Sequence, residues 1–388
     1  MQIQTYISNS EQMELFSLLR SPKTKVNRDF ETIDYPFKSK VLVPFSEKIN
    51  SEVIQGIPDD NRSVIIPNSS IIIDDREFKI SIKGVGARHP LYGLKPLDYT
   101  LRTDFLSNPN DNLETSTSRE ISNENWFGES PYGAQGFENA ISDLQISESF
   151  FNNLISNLHI CPVIEINEIP PDYVKEREML FWYRRFSKSF YQEKRLVPSN
   201  IRLFHQSNLT LGQAPDVVLS KFNISDNLAL DDFITNYISS GLSILTIIAH
   251  TLISHQPSQF KALDFTDVWL DKDSVIAQDG TLFFVDLEGL DWTDIPDQQT
   301  LENKIIKQIN RNYYEFMYCL DLLIKEKDKL LNKYTNQRQK RETIATFIDI
   351  ATIGNPFLKT DIQKNHLNLI VKPNHGFEDI SIRFLDLV

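Results

Sequence analysis

The stretch from Arg62 to Gly86, RSVIIPNSSIIIDDREFKISIKGVG, constrains the fold more than any other part of this chain. Val64 to Ile66, Ile71 to Ile73 and Phe78 to Ile82 are β-branched or aromatic runs. Pro-Asn-Ser-Ser and Asp-Asp-Arg-Glu punctuate them, so successive strands are expected. In the last run Phe78, Ile80 and Ile82 alternate with Lys79, Ser81 and Lys83. That alternation gives the strand one apolar and one polar face and sets Lys83 at its end, before Gly84 and Gly86. After Asn208 the pattern changes period. An apolar helix is expected from Asp231 or Asp232, and long amphipathic helices from Thr300 to about Asn332. Between them, Asp279-Gly280 separates SVIAQ from TLFFV, a strong hairpin signal.

From Arg88 to Gly128 the chain is polar and irregular, so 88–130 reads as an insertion or lid. A helix is then expected from about Ala134, with Phe137, Ala140, Ile141 and Leu144 on one stripe, and Ser147 as the N-cap of a second helix. Strands resume at CPVIEI and MLFWYRRF. The chain has no internal repeat. This order predicts an α+β protein with a β-rich part over 1–205 and a mainly helical part over 206–388.

Of the 388 residues, 40% are hydrophobic and 24% charged, as expected of a soluble globular chain. The net charge of −13 opposes tight binding to a nucleic-acid backbone, although a local basic site needs only a few cations. Cys161 and Cys319 are too few for a disulfide framework or a metal cage, and both read as buried, inert thiols. The N-terminal MQIQTYISNSEQM has no basic start followed by an apolar core, and the apolar run Gly241–Ala249 is far short of a membrane span. A cytoplasmic protein with no membrane partner is the expectation.

The chemistry-bearing residues come in a telling order. A strand-end Lys83 places a compact cation where two phosphates can meet it. Glu138, on the helix that follows, would pair with that lysine and hold it in position. Asp286 leaves the buried strand TLFFV at a turn, where it would coordinate a magnesium ion bridging the phosphates. This is the order of a kinase-like site for ATP and Mg2+, in a bilobal fold with a β-rich N-lobe, one main helix and a helical C-lobe. Each residue taken singly also has a bland reading as a solvated charge.

Four segments carry a resemblance to a known family. IKGVGARHPLYG resembles the Lys-Gly-x-Gly segment of the selenoprotein O family, protein adenylyltransferases with a kinase-like fold. FENAISDL resembles its helix bearing the lysine-pairing glutamate. EKRLVPSNIRLF resembles its Arg-Val-Ala-Pro-Ser-x-x-Arg-Phe segment, and DFTDVWL faintly resembles its catalytic loop. The match runs in order over about Lys83 to Asp286, with large gaps. The resemblance implies that Arg195 and Arg202 contact phosphates, a role that suits guanidinium forks. It also implies that AMP, rather than the γ-phosphate, passes to a protein hydroxyl. Asp267 or Asp264 would orient or deprotonate the acceptor. Asp286, with Asp267, would hold the metal, and Glu288 is a further oxygen nearby.

Three features depart from the family. No glycine lies between Gly56 and Gly84 to form a phosphate-closing turn, leaving Gly128, Gly133 and Gly136 as substitutes. The family's asparagine metal ligand aligns with Val268, which cannot bind magnesium. The C-terminal cysteine or selenocysteine of many members is absent. A catalytically inactive kinase-like domain that binds nucleotide or a protein partner therefore remains open. So does a phosphotransferase, since QDGTLFFVDLEG also resembles the metal-binding strand end of aminoglycoside-phosphotransferase-like proteins. His250 and His255 miss the spacing of a zinc pair, and Ser130 lacks the flanking pattern of a nucleophile elbow.

Overall fold

The structure, a computed structural model, describes residues 57–58, 63–73, 76–83, 135–136, 140, 142–144, 146–147, 159–169, 190–199, 201–203, 212–213 and 215–387, except 257–258, 267, 271–272, 286, 288–289 and 291. Its elements in the first half are β1 (Ile57–Pro58), β2 (Ser63–Ile73), β3 (Arg76–Lys83), β4 (Gln135–Gly136), β5 (Val163–Ile169), β6 (Phe190–Val197), β7 (Arg202–Leu203) and β8 (Gly212–Gln213). Then follow α1 (Pro215–Lys221), α2 (Asn227–Leu245), α3 (Ile247–His250), β9 (Ile253–Gln256), β10 (Gln259–Leu263), β11 (Ser274–Ile276), β12 (Leu282–Phe284) and β13 (Trp292–Ile295). The chain ends in α4 (Gln298–Leu330), α5 (Gln337–Thr352), β14 (Leu358–Ile362), β15 (His366–Val371) and β16 (Ile380–Asp386).

The expected strands of the opening segment form one antiparallel sheet in the order β1-β2-β3-β6-β4, with β5 also paired to β6. Val64 to Ile66 and Ile71 to Ile73 do not make two strands. They share the single strand β2, whose register against β3 shifts between Ile65 and Ser70. An irregularity of that kind is where a strand tolerates a residue such as Pro67 that cannot donate to the ladder. Phe78 and Ile80 are fully buried on one face of β3, while Ser81 and Lys83 are buried on the other. Both faces of this strand are therefore covered.

Residues 140, 142–144 and 146–147 are helical, and Ala140 and Leu144 of the expected stripe are buried. Ser147 is not an N-cap, and the second helix expected after it lies outside the described residues. Ser147 lies within the helical residues, its hydroxyl donating back to the Asp143 carbonyl (2.8 Å) and accepting from Val163 N (2.9 Å). Serine within a helix satisfies its hydroxyl in this way when a neighbouring strand supplies a donor.

Among the described residues, the second half carries the long helices α2, α4 and α5 together with eight strands, β9 to β16. Its first long helix starts earlier than the sequence pattern suggested, because Asp226 rather than Asp231 or Asp232 accepts from Ala229 N and caps α2. Asp297 likewise caps α4 through Thr300 N. The hairpin at Asp279-Gly280 is present, with β11 and β12 antiparallel and Gly280 at φ 90°. The three-stranded sheet β14-β15-β16, which the helical expectation for this half did not include, packs its Leu367, Leu369 and Val371 into the same core as α2, α4 and α5. Cys161 and Cys319 are buried and are not joined in a disulfide. No described helix is long and apolar enough to cross a membrane.

Candidate functional site

Directly opposed residues in an antiparallel pair point to the same side of the sheet. Lys83 opposes Glu193 and Ser81 opposes Arg195 across β3 and β6. All four side chains are buried, so one sheet face carries a cluster of two cations, a carboxylate and a hydroxyl away from water. Asp143 brings a second carboxylate, with its Oδ2 3.6 Å from Lys83 Nζ and both side chains almost fully enclosed. The Ser147 bridge to Val163 fixes the turn that presents Asp143. Val163 is itself the register partner of Arg195. Helix and sheet are thus locked together at the pair. Burial of isolated charges is costly, and opposite charges in contact offset much of that cost.

The sequence assigned Lys83 an acidic partner on this helix, and the acid found against it is Asp143. Glu138 lies outside the described residues.

Arg195 and Arg202 are both buried. Arg195 turns one guanidinium NH to the carbonyl of Val285. Ser199 and Ile201, between the two arginines, bond to the β11–β12 hairpin. Ser199 Oγ donates to Ile276 O (2.5 Å), and Ile276 N donates to Ile201 O (2.8 Å). On its other side β12 is held by Phe284 N to His159 O (2.9 Å) and Cys161 N to Phe284 O (2.6 Å). Val285 N donates to Asp273 O (2.9 Å). The hairpin is therefore clamped on both edges up to the residue that precedes Asp286. Asp286 itself, Asp267 and Glu288 lie outside the described residues.

Asp264 follows β10 at the start of the loop that reads DFTDVWL. Its carboxylate accepts from Thr266 N (2.8 Å), the Thr266 hydroxyl (2.6 Å) and Lys304 Nζ of α4 (2.5 Å). Partial burial pushes its carboxyl up, but the hydrogen bonds from Lys304 and Thr266 and the lysine charge outweigh that. Asp264 is held below its ordinary range. A carboxylate so occupied is a weak proton acceptor. Farther along the loop Asn312 of α4 donates to Val268 O (3.0 Å) and accepts from Leu270 N (2.7 Å). Arg311 lies over the Trp269 ring at 4.2 Å. The Val268 side chain is buried in the core. It offers magnesium no oxygen, and its carbonyl is already engaged. Among the described residues no group of three metal-ligating side chains comes together.

The structure thus joins Lys83 and Arg195 through one buried face and ties Arg195 to the end of the hairpin, while Asp264 is turned to Lys304. Sequence reasoning did not single out Asp143, Glu193, Lys304 or Asn312. Compared with protein-family models, curated proteins and solved structures, the chain matches none.

Proposed function

We propose that this chain is an ATP- and Mg2+-dependent transferase with a two-lobed, kinase-like site, moving AMP to a protein hydroxyl as the resemblance to the selenoprotein O family implies. The observation that supports it best is the buried Lys83–Asp143 pair on the face that also carries Arg195. A lysine held by an acid at a strand end, beside a hairpin that leads to an aspartate, is the arrangement that fixes a cation over phosphates. In this reading Lys83 contacts the phosphates and Asp143 holds it in place. Asp286 and Asp267 supply oxygen to the metal, and Arg202 meets the nucleotide from β7. Asp267 serves the acceptor, since Asp264 is occupied by Lys304. Magnesium, when bound, neutralises the developing charge on the transferred group.

A second reading has its own observation. Val268 is buried at the position where the family carries a metal ligand, which favours a domain that binds nucleotide or a protein partner without transfer.

Incubation with Mg2+ and ATP labelled at either the α or the γ position separates the alternatives. AMP transfer puts only the α label on protein, and Lys83→Met removes it. Label from the γ position alone identifies a phosphotransferase and rejects AMP transfer. A thermal shift with Mg-ATP and no label from either position supports the inactive domain. No shift and no label would reject the nucleotide site altogether.

A further inference from the structure

The turn joining α4 to α5 runs against the charge of the rest of the chain. Residues 325–341 hold seven Lys or Arg and two Asp or Glu, whereas the whole chain has a net charge of −13. At the apex Leu330, Leu331 and Tyr334 are 46%, 46% and 91% exposed. Large apolar side chains clustered on a turn gain nothing from water and mark a contact surface.

The turn is rigid. Leu331 N donates to Lys327 O (3.0 Å), Asn332 N to Lys329 O (3.1 Å) and Lys333 N to Asp328 O (2.9 Å). Asn332 takes φ 48°, and the Thr335 hydroxyl donates to the Asp328 carboxylate. A capping box between Asn336 and Gln339 starts α5. These backbone groups are spent inside the turn, so side chains carry the contact. Lys327 and Lys340 reach back to Asp231 and Asp321 and brace the helices. Lys329 and Arg338 remain 68% and 77% exposed in their pairs with Glu326 and Glu342. Lys333 stands exposed beside Tyr334. Pairs this exposed exchange readily for other anions.

We propose that this tip docks on an anionic lipid surface. Leu330, Leu331 and Tyr334 enter the headgroup region, while Lys329, Lys333 and Arg338 meet lipid phosphates and carboxylates. A projecting turn with its backbone satisfied has no strand edge to pair with a peptide. A deformable interface accepts leucine and tyrosine side chains and leaves the phenol among polar headgroups. The basic collar supplies the attraction, and the acidic remainder of the chain confines it to this end of the molecule. At this tip the chain lies on the surface.

The test is co-sedimentation of the full chain with vesicles of phosphatidylcholine alone or of phosphatidylcholine with phosphatidylserine. Binding is expected only to the second, falling as salt is raised. Lys329→Gln with Lys333→Gln weakens it about thirtyfold, and Leu331→Ser with Tyr334→Ser weakens it at least as much. All four side chains are exposed, so both variants melt with the parent. Equal binding to the two vesicle types, no binding to either, or unchanged binding by either variant overturns the proposal. Capture of the chain by an acidic protein with no vesicle binding does so too, and would place the tip in a protein interface.

Discussion

Lys83 and Asp143 are 2% and 1% exposed, and a pair so enclosed responds unequally to loss of one member and loss of both. Lys83→Met takes from the Asp143 carboxylate the cation 3.6 Å away, and Asp143→Leu takes that carboxylate from the Lys83 ammonium. Each is expected to cost about 3–5 kcal/mol, the range for breaking a buried pair from one side. The double variant Lys83→Met with Asp143→Leu removes both desolvation penalties, so it should recover most of that loss. Urea denaturation of the three variants measures the coupling, and additive losses would show that the two charges do not sense each other. The lysine was legible because strand alternation is local. The acid was not: the sequence reading placed it at Glu138, outside the described residues, and the partner found in the structure is Asp143. Asp143 lies next to Leu144 of the buried stripe, and only the tertiary contact names Lys83 as its cation. Arg195 was different. Its fork suits a phosphate or a carbonyl, and the carbonyl it meets belongs to Val285, 90 residues further along.

At the scale of elements, the β11–β12 hairpin follows from turn chemistry that any window of ten residues contains. It also carries a sharp demand at Gly280. The backbone there has φ 90°, and an added Cβ would stand 2.2 Å from the Phe233 carbonyl oxygen. Gly280→Ala therefore meets both a strained conformation and a main-chain clash, and is expected to cost about 3 kcal/mol or more. Gly354 has φ 76° with open space around it, so Gly354→Ala isolates the conformational part at about 1 kcal/mol. Equal losses in the two variants, read from urea midpoints, would remove the clash from the account. The C-terminal sheet was less legible for a different reason. Leu367, Leu369 and Val371 do alternate with His366, Asn368 and Ile370, the pattern of a half-buried strand. The layer it packs on is α2, α4 and α5, and no local pattern names a tertiary partner. The bracing of the DFTDVWL loop by Lys304 and Asn312 is likewise a contact across about forty residues, which a motif cannot contain.

For the whole molecule, acid is the condition that should find its weak points. His250 closes α3 inside the core, with its ring 4.5 Å from that of Phe357. Burial lowers its pKa from 6.5 to about 3. His159, beside Arg76 and Phe283 at the hairpin edge, is lowered to about 3 as well, by burial and then by the Arg76 charge. Above pH 6.5 each ring is neutral in both the folded and unfolded chain, so neither contributes a pH dependence. Between 6.5 and 3 the unfolded chain takes up protons that the folded chain refuses, and stability falls as pH falls. Each histidine contributes a slope of about 1.4 kcal/mol per pH unit across that window. Asp264 and Asp279, both held below the ordinary carboxylate range once their cationic neighbours outweigh burial, extend the loss in the same direction at lower pH. His250→Phe keeps a ring against Phe357 and removes the titration. Its stability relative to the parent should therefore rise steadily as pH drops from 6.5 to 5, whatever its offset at pH 7.5. Urea midpoints at three pH values read this directly, and two parallel lines would mean that His250 is protonated without unfolding the core around it.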